Sequence, residues 1–298
     1  MTVSMEKSPP LAIAHLGPPG TYAEQAAFFY LNWLKKTPGV VATLCPYLTI
    51  AQSLQAVATN QAQLAVVPVE NSIEGSVSMT MDTLWQLETL QIQLALVLPI
   101  SHTLISCADS LERIQTVYSH PQALAQCQGW LGQFLPNVNL IPSNSTAEAL
   151  QGLKQEVTTA AIASSRAAEL YNLPILATGI NDYPDNCTRF WVISHSQKDA
   201  VVQISSREIA PTHTSIAFSL PANVPGALAK ALQVFANLGI NLSRIESRPT
   251  KRSLGEYIFF IDIEASATQV QTALSELRNY TEIIKVFGSY SVTLIENF

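Results

Sequence analysis

Residues 11–34 read LAIAHLGPPGTYAEQAAFFYLNWL, and this stretch decides the fold class. The apolar run from Leu11 is short enough for a buried strand and too short for a helix. Gly17-Pro18-Pro19-Gly20 breaks it. From Thr21 to Leu34 the sequence suits a helix, with Thr21 placed as its N-cap. Strand, glycine-bearing turn and helix make half of a βαβ unit. The alternation continues downstream with LAVVPV from Leu64, IQLALVLPI from Ile92, VYSH from Val117, VNLIP from Val138 and AAIAS from Ala160. The last three runs are each trailed by an Ala/Leu/Gln-rich stretch that suits a helix. Such spacing predicts an α/β layer with largely parallel strands. Ser145-Thr146-Ala147-Glu148 fits a capping box, Ser145 as N-cap and Glu148 reaching back to its amide.

The pattern changes after His195. Residues 196–212 are polar and contain Pro211, so they read as a linker. Beyond them come a strand from Thr214, a helix from Pro225 to Leu238 closed by Gly239, strands from Ile240 and Glu256, a helix from Thr268 to Asn279, and a last strand or pair from Ile283 to Leu294. This is β-α-β-β-α-β, the ferredoxin-like arrangement. The expected units are therefore residues 10–196, a linker at 197–212, and 213–298.

Composition narrows the function classes. Of 298 residues, 48% are hydrophobic and 13% charged, with net charge −6. Average chains carry about 25% charged residues, so disorder is not expected. The acidic balance argues against nucleic acid and acidic lipid surfaces. Apolar runs such as Leu94 to Ile100 fall far below the ~18–20 residues of a membrane span. The N-terminal MTVSMEKSPP has no apolar core of a secretory signal, and the expected compartment is the cytoplasm. Cys45, Cys107, Cys127 and Cys187 form no CxxC pair, so reduced thiols are expected rather than a disulfide framework or a metal site.

Four segments place polar groups at strand or helix ends. Gly17 to Tyr22 offers helix-terminal amides suited to an anion, but neither nucleotide-loop spacing. Pro68 to Val77 delivers Glu70, Asn71 and Ser72 in succession past a strand, where α/β sheets collect ligands. Tyr118 to Gln122 places Ser119, His120 and Gln122 near a helix start. Asp182 to Trp191 is a turn leading into a strand, where Thr188 and Arg189 alternate across its faces. Arg189 has two readings: a clamp on a carboxylate, or a salt bridge with Asp182 or Asp185.

In order, GPPGTY, ENSIEGSV, SHPQALAQC, STAEAL, AAIASSRAAELYNL and NCTRF resemble the prephenate dehydratase family over residues 11–196. Asn223-Val224-Pro225-Gly226-Ala227-Leu228 and Glu246-Ser247-Arg248-Pro249 resemble the two phenylalanine-binding motifs of its ACT regulatory domain. Tyr22-Ala23 stands where many members carry Phe-Ser. The start of the chain leaves no room for the chorismate mutase domain fused in some members. The resemblance implies a two-lobed catalytic domain like the type II periplasmic binding proteins, plus the ferredoxin-like ACT module.

The reaction so implied converts prephenate to phenylpyruvate, carbon dioxide and water, with aromatisation as driving force and no cofactor. A salt bridge to the departing carboxylate would slow the reaction, so a site of neutral donors fits. By resemblance, Thr188 donates a hydrogen bond to the departing hydroxyl. Glu70 is either an orienting group or, with its pKa raised by burial, the acid. Arg189 would hold the carboxylate that survives. Asn71, Ser72, Ser119, Gln122 and Thr21 would orient the ligand, Ser145 and Thr146 would add donors, and Phe190 would pack the ring, while His120 reads as structural. The ACT motifs imply L-phenylalanine bound between paired modules of a homodimer or homotetramer. Three other readings stand beside this one: an arogenate dehydratase, a solute-binding protein, and an amino-acid sensor without catalysis.

Overall fold

A computed structural model describes residues 10–196, 211–265 and 267–295. The expected linker at 197–212 falls almost wholly outside them. Three strands open the chain: β1 (Leu11–Leu16), β2 (Ala42–Tyr47) and β3 (Leu64–Asn71). Helices α1 (Tyr22–Leu34) and α2 (Ile50–Ala58) cross between them, so β1 pairs in parallel with both β2 and β3. Thr21 caps α1 as expected, its side chain accepting from the Glu24 amide. Beyond the short β4 (Gly75–Ser76) and α3 (Ser78–Gln86), β5 (Leu90–Pro99) runs into the second lobe.

That lobe is built on a separate five-stranded sheet: β6 (Thr103–Ile105), β7 (Thr116–Ser119), β8 (Asn139–Pro142), β9 (Thr159–Ala163) and β10 (Ile175–Thr178). Its helices are α4 (Pro121–Ala125), α5 (Gln128–Phe134) and α6 (Ser165–Tyr171). The chain returns as β11 (Cys187–His195), which inserts antiparallel between β3 and β5. The sheets are thus mixed rather than largely parallel. Periodicity gives a strand's existence, but its direction depends on how the connections run.

The capping box is half formed. The Glu148 amide bonds to Ser145 Oγ at 3.0 Å, but its carboxylate reaches the Asn144 amide instead, and a 3₁₀ turn follows rather than an α-helix.

The C-terminal module has strands β12 (His213–Ser219), β13 (Asn241–Pro249), β14 (Tyr257–Glu264) and β15 (Ile283–Leu294), with α7 (Ala227–Asn237) and α8 (Ala267–Leu277). Its order β13-β14-β12-β15 is the ferredoxin-like one. Strand β15 is long enough to serve two sheets. Its first half pairs with β12, and Ser291 to Leu294 run parallel to Leu94–Val97 of β5, giving one ten-stranded sheet. Gly288 sits at the crossing with φ +139, where an added Cβ would lie 2.5 Å from the Ile92 carbonyl oxygen, so only glycine fits. No described helix is long and apolar enough to cross a membrane.

Candidate active site

The cleft between the two lobes has a volume of about 780 Å³, within the range of small-molecule sites. Its floor is the end of the central sheet. Thr188 of β11 pairs with Asn71 of β3, and Arg189 pairs with Glu70. Successive residues of a strand point to opposite faces, so one pair enters the cleft and the other leaves it. Asn71 and Thr188 line the cleft with Phe190; Glu70 and Arg189 do not.

This overturns two expectations. Arg189 extends away from the cleft to Asp262 of β14, at 3.3 Å, and to Glu70, at 3.9 Å. It pairs with neither Asp182, whose carboxylate caps α5 through the amides of Gly129 and Trp130, nor Asp185. Glu70 is equally turned away and is not placed to act as an acid. Among the described residues that line the cleft there is no lysine or arginine, and Glu148 is the one carboxylate.

Other sequence-predicted residues divide by location. Thr21, Gln122, Ser145 and Thr146 line the cleft. The Thr21 hydroxyl is taken up in capping and in a bond to the Leu16 carbonyl, so at that end the cleft meets the first turn of α1. Ser119 is fully buried and donates to the Ile162 carbonyl at 2.6 Å, which removes it from the ligand. Ser72 is also absent from the lining. Its hydroxyl donates to Asn186 Oδ1 and accepts from the Cys187 amide, pinning the approach to β11. His120 is the N-cap of α4, as its structural reading requires, and it also borders the cleft.

Three residues that sequence reasoning passed over complete the site: His102, Gln126 and Asn186. Asn71 Nδ2 donates to Thr188 Oγ1 at 2.9 Å and to Asn186 Oδ1 at 2.9 Å. Asn186 Nδ2 donates to Gln126 Oε1 at 3.0 Å, and His102 Nε2 lies 2.9 Å from the same oxygen. Two of these were findable. Gln126 follows Gln122 by one helical turn and so shares its face, and His102 follows the end of the run from Ile92. Burial lowers the His102 pKa and raises that of Tyr22 beside it, so both rings are neutral near pH 7.

The direction of the Asn71 bond sets the chemistry. Asn71 Oδ1 accepts from the amides of Ile73 and Glu74, at 3.0 and 3.1 Å. Its nitrogen must therefore face Thr188, and Thr188 must accept. The threonine hydroxyl hydrogen is left to point at whatever fills the cleft.

The chain is similar to known proteins over nearly its whole length. The prephenate dehydratase family model matches residues 13–198, and the ACT domain model matches 214–282. This chain belongs to the prephenate dehydratase family. Similar proteins include the bifunctional chorismate mutase/prephenate dehydratase of Aquifex aeolicus, 40% identical over 99% of this chain and 76% of that one. The prephenate dehydratase of Methanocaldococcus jannaschii is 38% identical over 94% of this chain and 98% of its own. A crystal structure of prephenate dehydratase in complex with L-Phe from Arthrobacter aurescens superposes with TM-score 0.81 at 35% identity, covering 94% of this chain and 90% of that one.

In this prephenate dehydratase family member the ACT motifs differ in how free they are. Asn223 to Gly226 are exposed, and Gly226 caps α7 with φ +81 and no atom within 4 Å of where a Cβ would be. Ala227 and Leu228 begin the helix half-buried. In the second motif Ser247 and Pro249 are exposed and Glu246 is half-buried. Arg248 is engaged: its guanidinium forks onto Asp82 of α3 at 3.0 and 3.2 Å. It therefore ties the ACT module to the catalytic lobe instead of presenting a free cation to an effector.

Proposed function

We propose that the cleft binds prephenate and expels its ring carboxylate as carbon dioxide while the C4 hydroxyl leaves as water. The electron pair of the breaking carbon–carbon bond enters the ring, the C4–oxygen bond breaks, and the departing hydroxyl takes up one proton from solvent to leave as water. The observation that carries this reading is a hydroxyl with imposed polarity in a cleft with no lysine or arginine among its described lining residues. Thr188, made an acceptor by Asn71, aims its hydrogen at the leaving oxygen. A threonine is too weak an acid to transfer that proton alone. It contributes as a donor whose bond strengthens as charge builds, the differential stabilisation that lowers a barrier. A cleft without lysine or arginine does not hold the departing carboxylate in its ground state. Gln122, Ser145 and Thr146 supply neutral donors, the first turn of α1 receives the surviving carboxylate, and Phe190 packs the ring.

L-phenylalanine is the proposed effector, at the exposed ACT motifs, with a second copy of the chain closing the site. Two ties route its effect to the cleft: Arg248 to Asp82, and Asp262 to Arg189, the neighbour of Thr188. Comparing kcat/KM for prephenate and arogenate, with and without L-phenylalanine, tests the whole reading. Prephenate should be the better substrate and its turnover should fall with the amino acid. Preference for arogenate would replace the substrate, and indifference to phenylalanine would remove the effector.

A further inference from the structure

His102 is 2% exposed at the back of the cleft, and nothing in the motifs assigns it a task. Its surroundings fix where its proton sits. At one end of the chain of amides, Asn71 is oriented by the backbone, as its oxygen takes the amides of Ile73 and Glu74. Asn186 must then turn its oxygen to Asn71 and its nitrogen to Gln126. Gln126 must turn its oxygen to Asn186, and that same oxygen meets His102 Nε2 at 2.9 Å. An amide oxygen only accepts, so Nε2 carries the proton. Nδ1, 2.8 Å from the Tyr22 hydroxyl, is then the acceptor, and Tyr22 shares its hydrogen between that nitrogen and the Ser101 carbonyl.

We infer that His102, held as the Nε2–H tautomer, is a positioning residue that locks the Gln126 amide with its oxygen on Asn186 and with one of its two N–H hydrogens, the one not donated to Glu74, left for the ligand. The Gln126 oxygen, taken by two donors, is unavailable to an anion. Its nitrogen donates one hydrogen to Glu74 Oε1 at 3.4 Å, and as Gln126 lines the cleft its second hydrogen makes a neutral donor in addition to Thr188. Without the ring N–H, Gln126 is free to flip. A flipped Gln126 would present nitrogen to Asn186 nitrogen, a donor–donor contact that propagates to Asn71 and loosens its hold on Thr188. The lowered pKa of the buried ring agrees with a neutral histidine.

The inference rests on Thr188 as the donor for its kinetic consequence but not for the tautomer, and the two fail separately. In protein labelled with ¹⁵N-histidine, a two-bond proton–nitrogen spectrum at pH 7.5 reads the tautomer, with the His102 signal identified by its loss in His102→Gln. A protonated Nε2 and bare Nδ1 are expected, and the reverse overturns the inference. The variants supply the kinetic arm. In His102→Gln the amide nitrogen falls near the Nε2 position and should keep kcat within about fivefold. In His102→Asn it reaches only as far as Nδ1, and kcat should fall about 20-fold or more with KM within about twofold. Thermal melts check that both variants fold. Equal losses in the two, or none in His102→Asn, would also overturn it.

Discussion

Thr188 and Arg189 are neighbours in β11, yet one faces the cleft and the other the ACT module. The sequence offered both as ligands of the same substrate, and alternation says that a strand rarely permits this. Which of the two enters the cleft follows from the register of Thr188 on Asn71, a pairing of residues 117 apart that no local pattern encodes. Asn71 and Thr188 were legible because polar side chains at strand ends need a reason. Ser119 looked the same in sequence, but its hydroxyl satisfies a buried carbonyl. A test follows for Arg189. Arg189→Gln should leave KM for prephenate within about threefold and cost about 1–2 kcal/mol of stability, because Asp262 keeps Arg244 as a partner. A rise in KM of two orders of magnitude, with unchanged stability, would restore Arg189 to the substrate.

Among the elements, strands with long apolar runs were readable, as was α1 with its Thr21 cap. β2, α2 and α3 were missed: Ala42–Tyr47 contains Cys45 and Pro46 and shows no clean alternation, and neither helix was read from its sequence. The first ACT elements were set off by glycine or proline, with Pro221 after β12, Gly226 and Gly239 around α7, and Pro249 and Gly255 between β13 and β14. The double duty of β15 was not legible, since nothing in IIKVFGSYSVTL separates a strand in one sheet from a strand in two. Gly288 marks the crossing afterwards. Gly288→Ala should destabilise the protein by about 1–3 kcal/mol, from backbone strain and the clash with Ile92, and lower its melting temperature by several degrees. An unchanged melt would mean that β15 and β5 do not run this close.

Over the whole molecule, the proposed catalytic cleft and the ion pairs that tie in the ACT module occupy opposite faces of one sheet. The cleft face carries neutral donors. The other carries the buried pair of Asp262 with Arg244, the Arg189 contact, and Arg248 with Lys251 on Asp82. The low charge content of the chain first served only to exclude disorder and nucleic acid. The cleft shares that trend more strictly than composition implied, since its expected cation lies on the far face. Two buried histidines give the fold a pH dependence. Burial lowers the pKa of His15 and of His102 below 6.5, so the unfolded chain takes up protons near 6.5 that the folded one refuses. Stability should therefore fall as pH drops through 6.5 and below, and denaturant unfolding at pH 7.5 and 5.5 should show it, less steeply in His102→Gln. Unfolding midpoints that coincide at the two pH values would contradict this. The central claim is that the hydrogen of Thr188 assists departure of the ring hydroxyl, and phenylpyruvate formation by purified Thr188→Val measures it most directly. Its kcat should fall about 10²-fold or more with little change in KM; an unchanged kcat would show that the Thr188 hydrogen plays no part in the step.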